Sequence, residues 1–283
     1  MTLLLVACGV PCGFAARRRL AHVLPRLVRA QMLLLATPLA LAAGLVFVPR
    51  FDAVAAMATL IAAEAAGVFA GGLLNERGGT RRVSLTASSS NTGIWAIPIA
   101  GLFFGPAAVS FVAVFDQMSF PRGLVLTSRL RRFAPTPQAA RTALVDYAPA
   151  AALVLGLALH GLLGRPAGLA PWLPRIGIAS AVANMLLIGA ALPSARPQVV
   201  HARQALLGAL FRFVPATLGL TLLYLLGLHP PAAAWLLAFA PSYYSMLTLS
   251  RLYGYDGREA VATALTTTVA AAGILPLLLL AVH

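Results

Sequence analysis

The 283 residues are 60% hydrophobic and only 10% charged, with a mean hydropathy of +0.88, whereas a soluble domain is roughly half apolar and a quarter charged. So few ionisable groups cannot cover a water-facing surface, so lipid is the solvent for most of the chain. The net charge of +14 is the excess of 21 basic residues, all arginine, over seven acidic ones; most arginines lie between apolar stretches and none forms an aromatic-interleaved patch, which argues against a nucleic-acid surface.

A membrane helix needs roughly 20 apolar residues. Stretches of that kind fall near 3–16, 27–48, 53–74, 83–104, 107–128, 142–163, 176–194, 205–228, 232–250 and 260–282. The first is short and carries Cys8 and Cys12, four residues apart and therefore on one helix face. Without further ligands nearby, and with a disulfide within a helix strained, the two cysteines read as small packing residues; no metal site is expected.

The third stretch holds Glu64 among Ala62, Ala63, Ala65 and Ala66. An ionisable group in lipid is a functional candidate by default. Glu64 therefore reads either as a group that carries a coupling proton or as a hydrogen-bonding partner for a neighbouring backbone.

The fourth stretch is hydroxyl-rich from Ser84 to Ser90, then runs Asn91-Thr92-Gly93 and reaches Pro98. Pro and Gly free backbone groups that lipid cannot satisfy, so they are tolerated only beside protein or a wet cavity. Asn91, Thr92, Gly93 and Pro98 accordingly mark a broken helix, with Pro98 expected to restart it. Single serines in such a stretch otherwise bond back to their own helix. In the fifth stretch, Asp116 is a second ion-coupling candidate. Arg122 either meets a substrate carboxylate or snorkels to the interface.

Between the fifth and sixth stretches, Pro135-Thr136-Pro137 lies in a short arginine-bearing linker. It divides the chain into 1–134 and 135–283, five spans each. Because five is odd, the second half enters from the opposite side, giving two inverted repeats, an arrangement recurrent in transporters. The ninth stretch is interrupted at Pro241-Ser242-Tyr243-Tyr244-Ser245, the position corresponding to the fourth. Paired interruptions point to a carrier site, so Pro241, Ser242, Tyr243 and Ser245 join the substrate-binding candidates.

Arginine placement orients the spans. With the N-terminus outside, 17 arginines fall at cytoplasmic ends and three in outer loops, Arg212 being counted with the former. This is the positive-inside asymmetry, and it places both termini outside a cytoplasmic (inner) membrane.

Asn91-Thr92-Gly93, Pro98 and Leu102-Phe103-Phe104-Gly105 resemble the first crossover of the auxin efflux carrier (AEC) family of permeases. Pro241, Tyr243, Tyr253-Gly254, Asp256, Thr266-Thr267-Thr268 and Leu275-Pro276-Leu277 resemble its carboxy-terminal half. The chain departs from the family's frequent pattern at Ile94, Ala96 and Ser245, and lacks the long cytoplasmic loop of plant members. The resemblance implies an all-α polytopic membrane protein of about ten transmembrane helices, with crossed broken helices in the fourth and ninth spans. It also implies transport of small organic anions such as dicarboxylates or indole acids.

The expected function is secondary active transport by alternating access, coupled to a proton or sodium gradient. A channel or membrane sensor on the same fold is the alternative, and a membrane-embedded enzyme a further one. No G-x-x-x-x-G-K-[ST], H-E-x-x-H or G-x-S-x-G run occurs, which argues against an ATP-driven pump and against an enzyme. No cofactor, catalytic residue or nucleic-acid partner is expected; a homodimer is an assembly this reading admits.

Overall fold

In the computed structural model the described residues are 2–20, 22–78, 90–118, 147–164, 166, 168–191, 202–242 and 258–282. They are helical almost throughout. The helices are α1 (Thr2–Leu20), α2 (Leu24–Gln31), α3 (Thr37–Val46), α4 (Phe51–Gly78), α5 (Ile97–Ile99), α6 (Pro106–Met118), α7 (Ala148–Leu163), α8 (Trp172–Ala191), α9 (Ala202–Leu225), α10 (Ala232–Ala238) and α11 (Arg258–Val282). Three π-helical turns, Met32–Ala36, Thr92–Ala96 and Ala100–Phe104, connect or extend them.

The π turns lie next to prolines. Pro38 cannot donate a backbone hydrogen bond, and the wider turn Met32–Ala36 precedes it; the Thr37 hydroxyl donates to Met32 O at 2.8 Å. Pro98 lies within α5, between the other two π turns. A π turn shifts the hydrogen-bond ladder by one residue, so the ring is accommodated inside the helix. The helix thus begins at Thr92, and Pro98 does not restart it as its sequence position suggests.

Among the described residues, four helical stretches are long and apolar enough to cross a membrane: Arg26–Val46, Trp172–Ala190, Ala205–Leu225 and Val261–Leu280. Leu162, Leu218, Leu222 and Leu280 are all exposed, Leu162 at 81%, which suits side chains facing lipid tails. The chain is an all-α, multi-pass membrane protein.

Its residues form two compact units, and each draws on both halves of the sequence. The first comprises 1–48, 92–124 and 140–192, the second 49–91, 125–139 and 193–283. In the first unit α1 packs on α8 and α3 on α7, with glycines at both contacts. A Cβ on Gly13 would collide with Leu186 O and one on Gly189 with Val10 O, and one on Gly44 would stand 2.7 Å from Leu153 O. Backbones this close gain packing that a side chain would forbid. His160 Nδ1 lies 2.7 Å from Leu45 O, and Ser110 Oγ donates to Ala43 O at 2.8 Å. The last pins α6, whose residues from Ala108 to Phe115 are buried all round the helix.

In the second unit α4 and α9 run antiparallel. Gly67 approaches Phe211 O and Gly219 approaches Thr59 Cγ2, so Glu64 on α4 and Arg212 on α9 both lie between these two approaches. α9 also meets α11, where Gly208 faces Thr263 Cγ2. Short α10 packs against all three.

Arg212 is a correction to the arginine tally. It does not cap a cytoplasmic end: it lies inside the apolar stretch Ala205–Leu225 and is 3% exposed. Loop arginines are drawn to the cytoplasmic interface, but this one is fixed by a protein contact described below.

Candidate functional site at the interrupted helices

The second unit's polar centre grows from the end of α10. In a regular helix Leu237 O would accept from the residue four places on, and that residue is Pro241, which has no N–H. The chain therefore breaks. Phe239 N donates to Trp235 O and Ala240 N to Leu237 O, each at 3.1 Å, and the helix stops. Leu237 O takes a further hydrogen bond from Arg212 Nη2.

Past the break, Ser242 N donates to Thr267 Oγ1 on α11 at 3.0 Å. Thr267 Oγ1 in turn lies 2.8 Å from Thr263 O and 3.1 Å from Ala264 O, so its one proton stays on its own helix. Ser242 also forms an isolated antiparallel bridge with Ser90, and Asn91 N donates to Pro241 O at 2.7 Å. The fourth and ninth stretches thus meet, at their interruptions, as two short extended pieces.

Glu64 holds the other side of this crossing. Its Oε1 accepts from Ser90 N at 2.9 Å and from Ser90 Oγ at 2.7 Å. Ser90 therefore does not bond back to its own helix. Ser90, Asn91, Ser242, Thr263 and Thr267 are all buried, each at most 2% exposed, and Glu64 is 4% exposed. Backbone groups freed by the two breaks find side chains from α4, α9 and α11, as burial demands.

The chain re-enters the first unit at Thr92, and that unit has a polar cluster of its own. Thr92 Oγ1 donates to Asp116 Oδ1, and Gln117 Nε2 donates to Asp116 Oδ2 at 2.9 Å. A Cβ on Gly93 would stand 3.5 Å from Asn184 Nδ2 on α8. Pro98 is buried within α5.

Of the sequence-derived candidates, Glu64, Asn91, Pro241 and Ser242 come together in the second unit, and Thr92 and Asp116 join in the first with Gly93 following Thr92 in the chain. Arg122, Tyr243 and Ser245 lie outside the described residues. Cys8 and Cys12 are free and exposed on α1. Three contributors escaped the sequence reading: Ser90, read as one of a run of serines, Thr267 and Arg212. Thr267 stood only in a threonine run, and Arg212 was grouped with the interfacial arginines, although its place between Phe211 and Phe213 in an apolar stretch was a signal.

Two donors lie beside the interruption after α10. Ser242 Oγ and Arg212 Nε are buried without a hydrogen-bond partner. Both are able to donate, and the guanidinium adds a positive charge. Chemically these two donors call for an acceptor, and the guanidinium favours a negatively charged one.

Comparison of the chain with protein-family models and with curated proteins returns no match.

Proposed function

We propose that the chain is a secondary active transporter that moves a small organic anion, such as a carboxylate, across the cytoplasmic membrane by alternating access. In this reading it is a permease of the auxin efflux carrier type, with about ten spans in two inverted repeats, both termini outside, and a proton or sodium gradient as its drive.

The observation that carries the reading is the Ser90–Ser242 bridge with Asn91 N on Pro241 O. An all-helical membrane chain keeps its backbone bonds within each helix unless the exposed groups face protein or a cavity. Two breaks from corresponding places in the two halves meeting at one point is the arrangement of a mid-membrane carrier site. Helix pairing adds support. If the first span corresponds to the sixth and the second to the seventh, exchanging the halves turns the α1–α8 pair into the α7–α3 pair, and both pairs are present.

The test is uptake into proteoliposomes holding the purified chain. Labelled succinate should accumulate above its external concentration when an inward proton or sodium gradient is imposed, and should stop when the gradient is collapsed. Equilibration without accumulation would make the protein a channel, and no gradient-dependent uptake of any carboxylate would refute the carrier reading.

A further inference from the structure

Arg212 has a charge that nothing among the described residues balances. It is 3% exposed, in an apolar helix between Phe211 and Phe213. A guanidinium keeps its proton in proteins and offers five N–H groups in a planar fork. Nη2 donates to Leu237 O, while Nε is buried with no partner. Closing the Leu237 carbonyl explains one donor. A neutral amide would serve that purpose without burying a cation, which is costly unless the charge is compensated.

Ser242 supplies a second and independent observation. Its backbone N–H is used on Thr267 Oγ1, yet its hydroxyl is buried without a partner. Ser242 follows Pro241 directly, and Arg212 sits on the carbonyl that Pro241 leaves without its helical donor. The two unused donors therefore flank the same interruption, and both call for an acceptor.

We infer that Arg212 and Ser242 form a carboxylate-binding site at the break after α10. Arg212 keeps Nη2 on Leu237 O and gives Nε–H to a carboxylate oxygen, and Ser242 Oγ–H donates to the same ligand. The site rests on the reading of the chain as an organic-anion carrier and names the group that receives the anion's charge. Charge-assisted hydrogen bonds from a pre-positioned guanidinium are the strong ones, and holding one donor on a carbonyl fixes the plane of the fork. Ligand binding is then expected to neutralise the buried cation and to stabilise the folded chain.

The test uses the purified full-length protein in detergent, followed by thermal unfolding with succinate or with its uncharged diamide, succinamide, as probe. Succinate should raise the unfolding midpoint of the wild type by mass action, and succinamide should not. Arg212→Gln retains an N–H for Leu237 O but no charge, so its apparent succinate affinity should fall about tenfold or more. Arg212→Lys should keep part of the affinity, and Ser242→Ala should lose less than Arg212→Gln. An unchanged succinate shift in Arg212→Gln, or equal shifts from succinate and succinamide, would overturn the site. Labelling of wild-type Arg212 by phenylglyoxal, read by peptide mass spectrometry, keeps the question decidable if the variants do not fold. Protection by succinate supports the site; labelling that succinate does not change, or no labelling at all, overturns it. Gradient-driven uptake is measured on the same preparation. If accumulation persists while these readouts fail, the Arg212 site falls and the carrier reading stands; if accumulation fails too, both fall.

Discussion

Glu64→Ala and Glu64→Gln should separate the structural work of this side chain from the work of its charge. Oε1 accepts two hydrogen bonds, from Ser90 N and Ser90 Oγ, at 2.9 and 2.7 Å, in a site where Ser90 is 2% exposed. Alanine removes both acceptors. A buried N–H without a partner costs about 1–3 kcal/mol, and the hydroxyl, which can rotate toward another acceptor, adds less, so the loss is about 2–4 kcal/mol. Glutamine keeps an oxygen where Oε1 stands. Its bonds are neutral and roughly half as strong as charge-assisted ones, so the loss is about 1 kcal/mol. Unfolding of the purified variants by heat or denaturant measures the two losses, and accumulation in vesicles measures function. Glu64→Gln should stay folded and bind substrate yet fail to accumulate it against a gradient, if Glu64 carries the coupling proton. Full accumulation would leave Glu64 as the acceptor for Ser90 and move ion coupling to Asp116. Equal destabilisation by the two substitutions would refute the reasoning, because the oxygen would then not be what holds Ser90.

Other perturbations test separate parts of the account. Asn91→Ala keeps the backbone N–H that reaches Pro241 O, so the chain should fold but lose most transport and succinate-induced stabilisation; wild-type binding would confine Asn91 to the architecture of the crossing. Gly44→Ala drives a Cβ against Leu153 O at 2.7 Å and should cost about 1–3 kcal/mol. Gly161→Ala on the same helix pair, where a Cβ meets nothing within 4 Å, should be neutral or stabilising by up to about 1 kcal/mol; equal losses in denaturant unfolding would refute the close-packing argument. In a background lacking Cys8 and Cys12, a cysteine at Arg18 should be protected from an impermeant thiol reagent in intact cells, and one at Pro166 should react; the reverse pattern would invert the orientation.

Membrane class and helix positions were legible because they depend on averages over some 20 residues. The spans near 53–74 and 142–163 correspond closely to α4 and α7, while α1 runs on through Arg17, Arg18 and Arg19 to Leu20. Asn91, Ser242 and Glu64 stood out as polar groups in apolar runs. Their partners did not, since Ser90 and Glu64 are 26 residues apart and Arg212 and Leu237 are 25 apart, and no helical period spans such separations. The break was read as running from Asn91-Thr92-Gly93 to a restart at Pro98, whereas the helix resumes at Thr92; proline is a strong local signal, and the π turns that absorb it have no sequence signature of comparable strength. Arg212 was misplaced for a related reason: the positive-inside rule counts arginines by nearness to span ends, and only a tertiary contact distinguishes one fixed on a carbonyl.

The same contacts bear on how functional variants are to be read. At each break a backbone group loses its helical partner and gains a side chain from a neighbouring helix: Glu64 takes the Ser90 N–H, Arg212 serves Leu237 O, and Thr267 takes the Ser242 N–H. These side chains set the path of the chain through the crossing before any ligand arrives. Substituting one alters the crossing first, so lost transport alone does not assign a residue to the ligand. A residue that only closes a backbone group should lose stability and function together, and an isosteric replacement that restores the bond should restore both. A residue that also meets the ligand should lose ligand-induced stabilisation even when the bond to the backbone is kept. Arg212→Gln and Glu64→Gln are chosen on that ground: each keeps a group able to make the structural bond and removes only the charge.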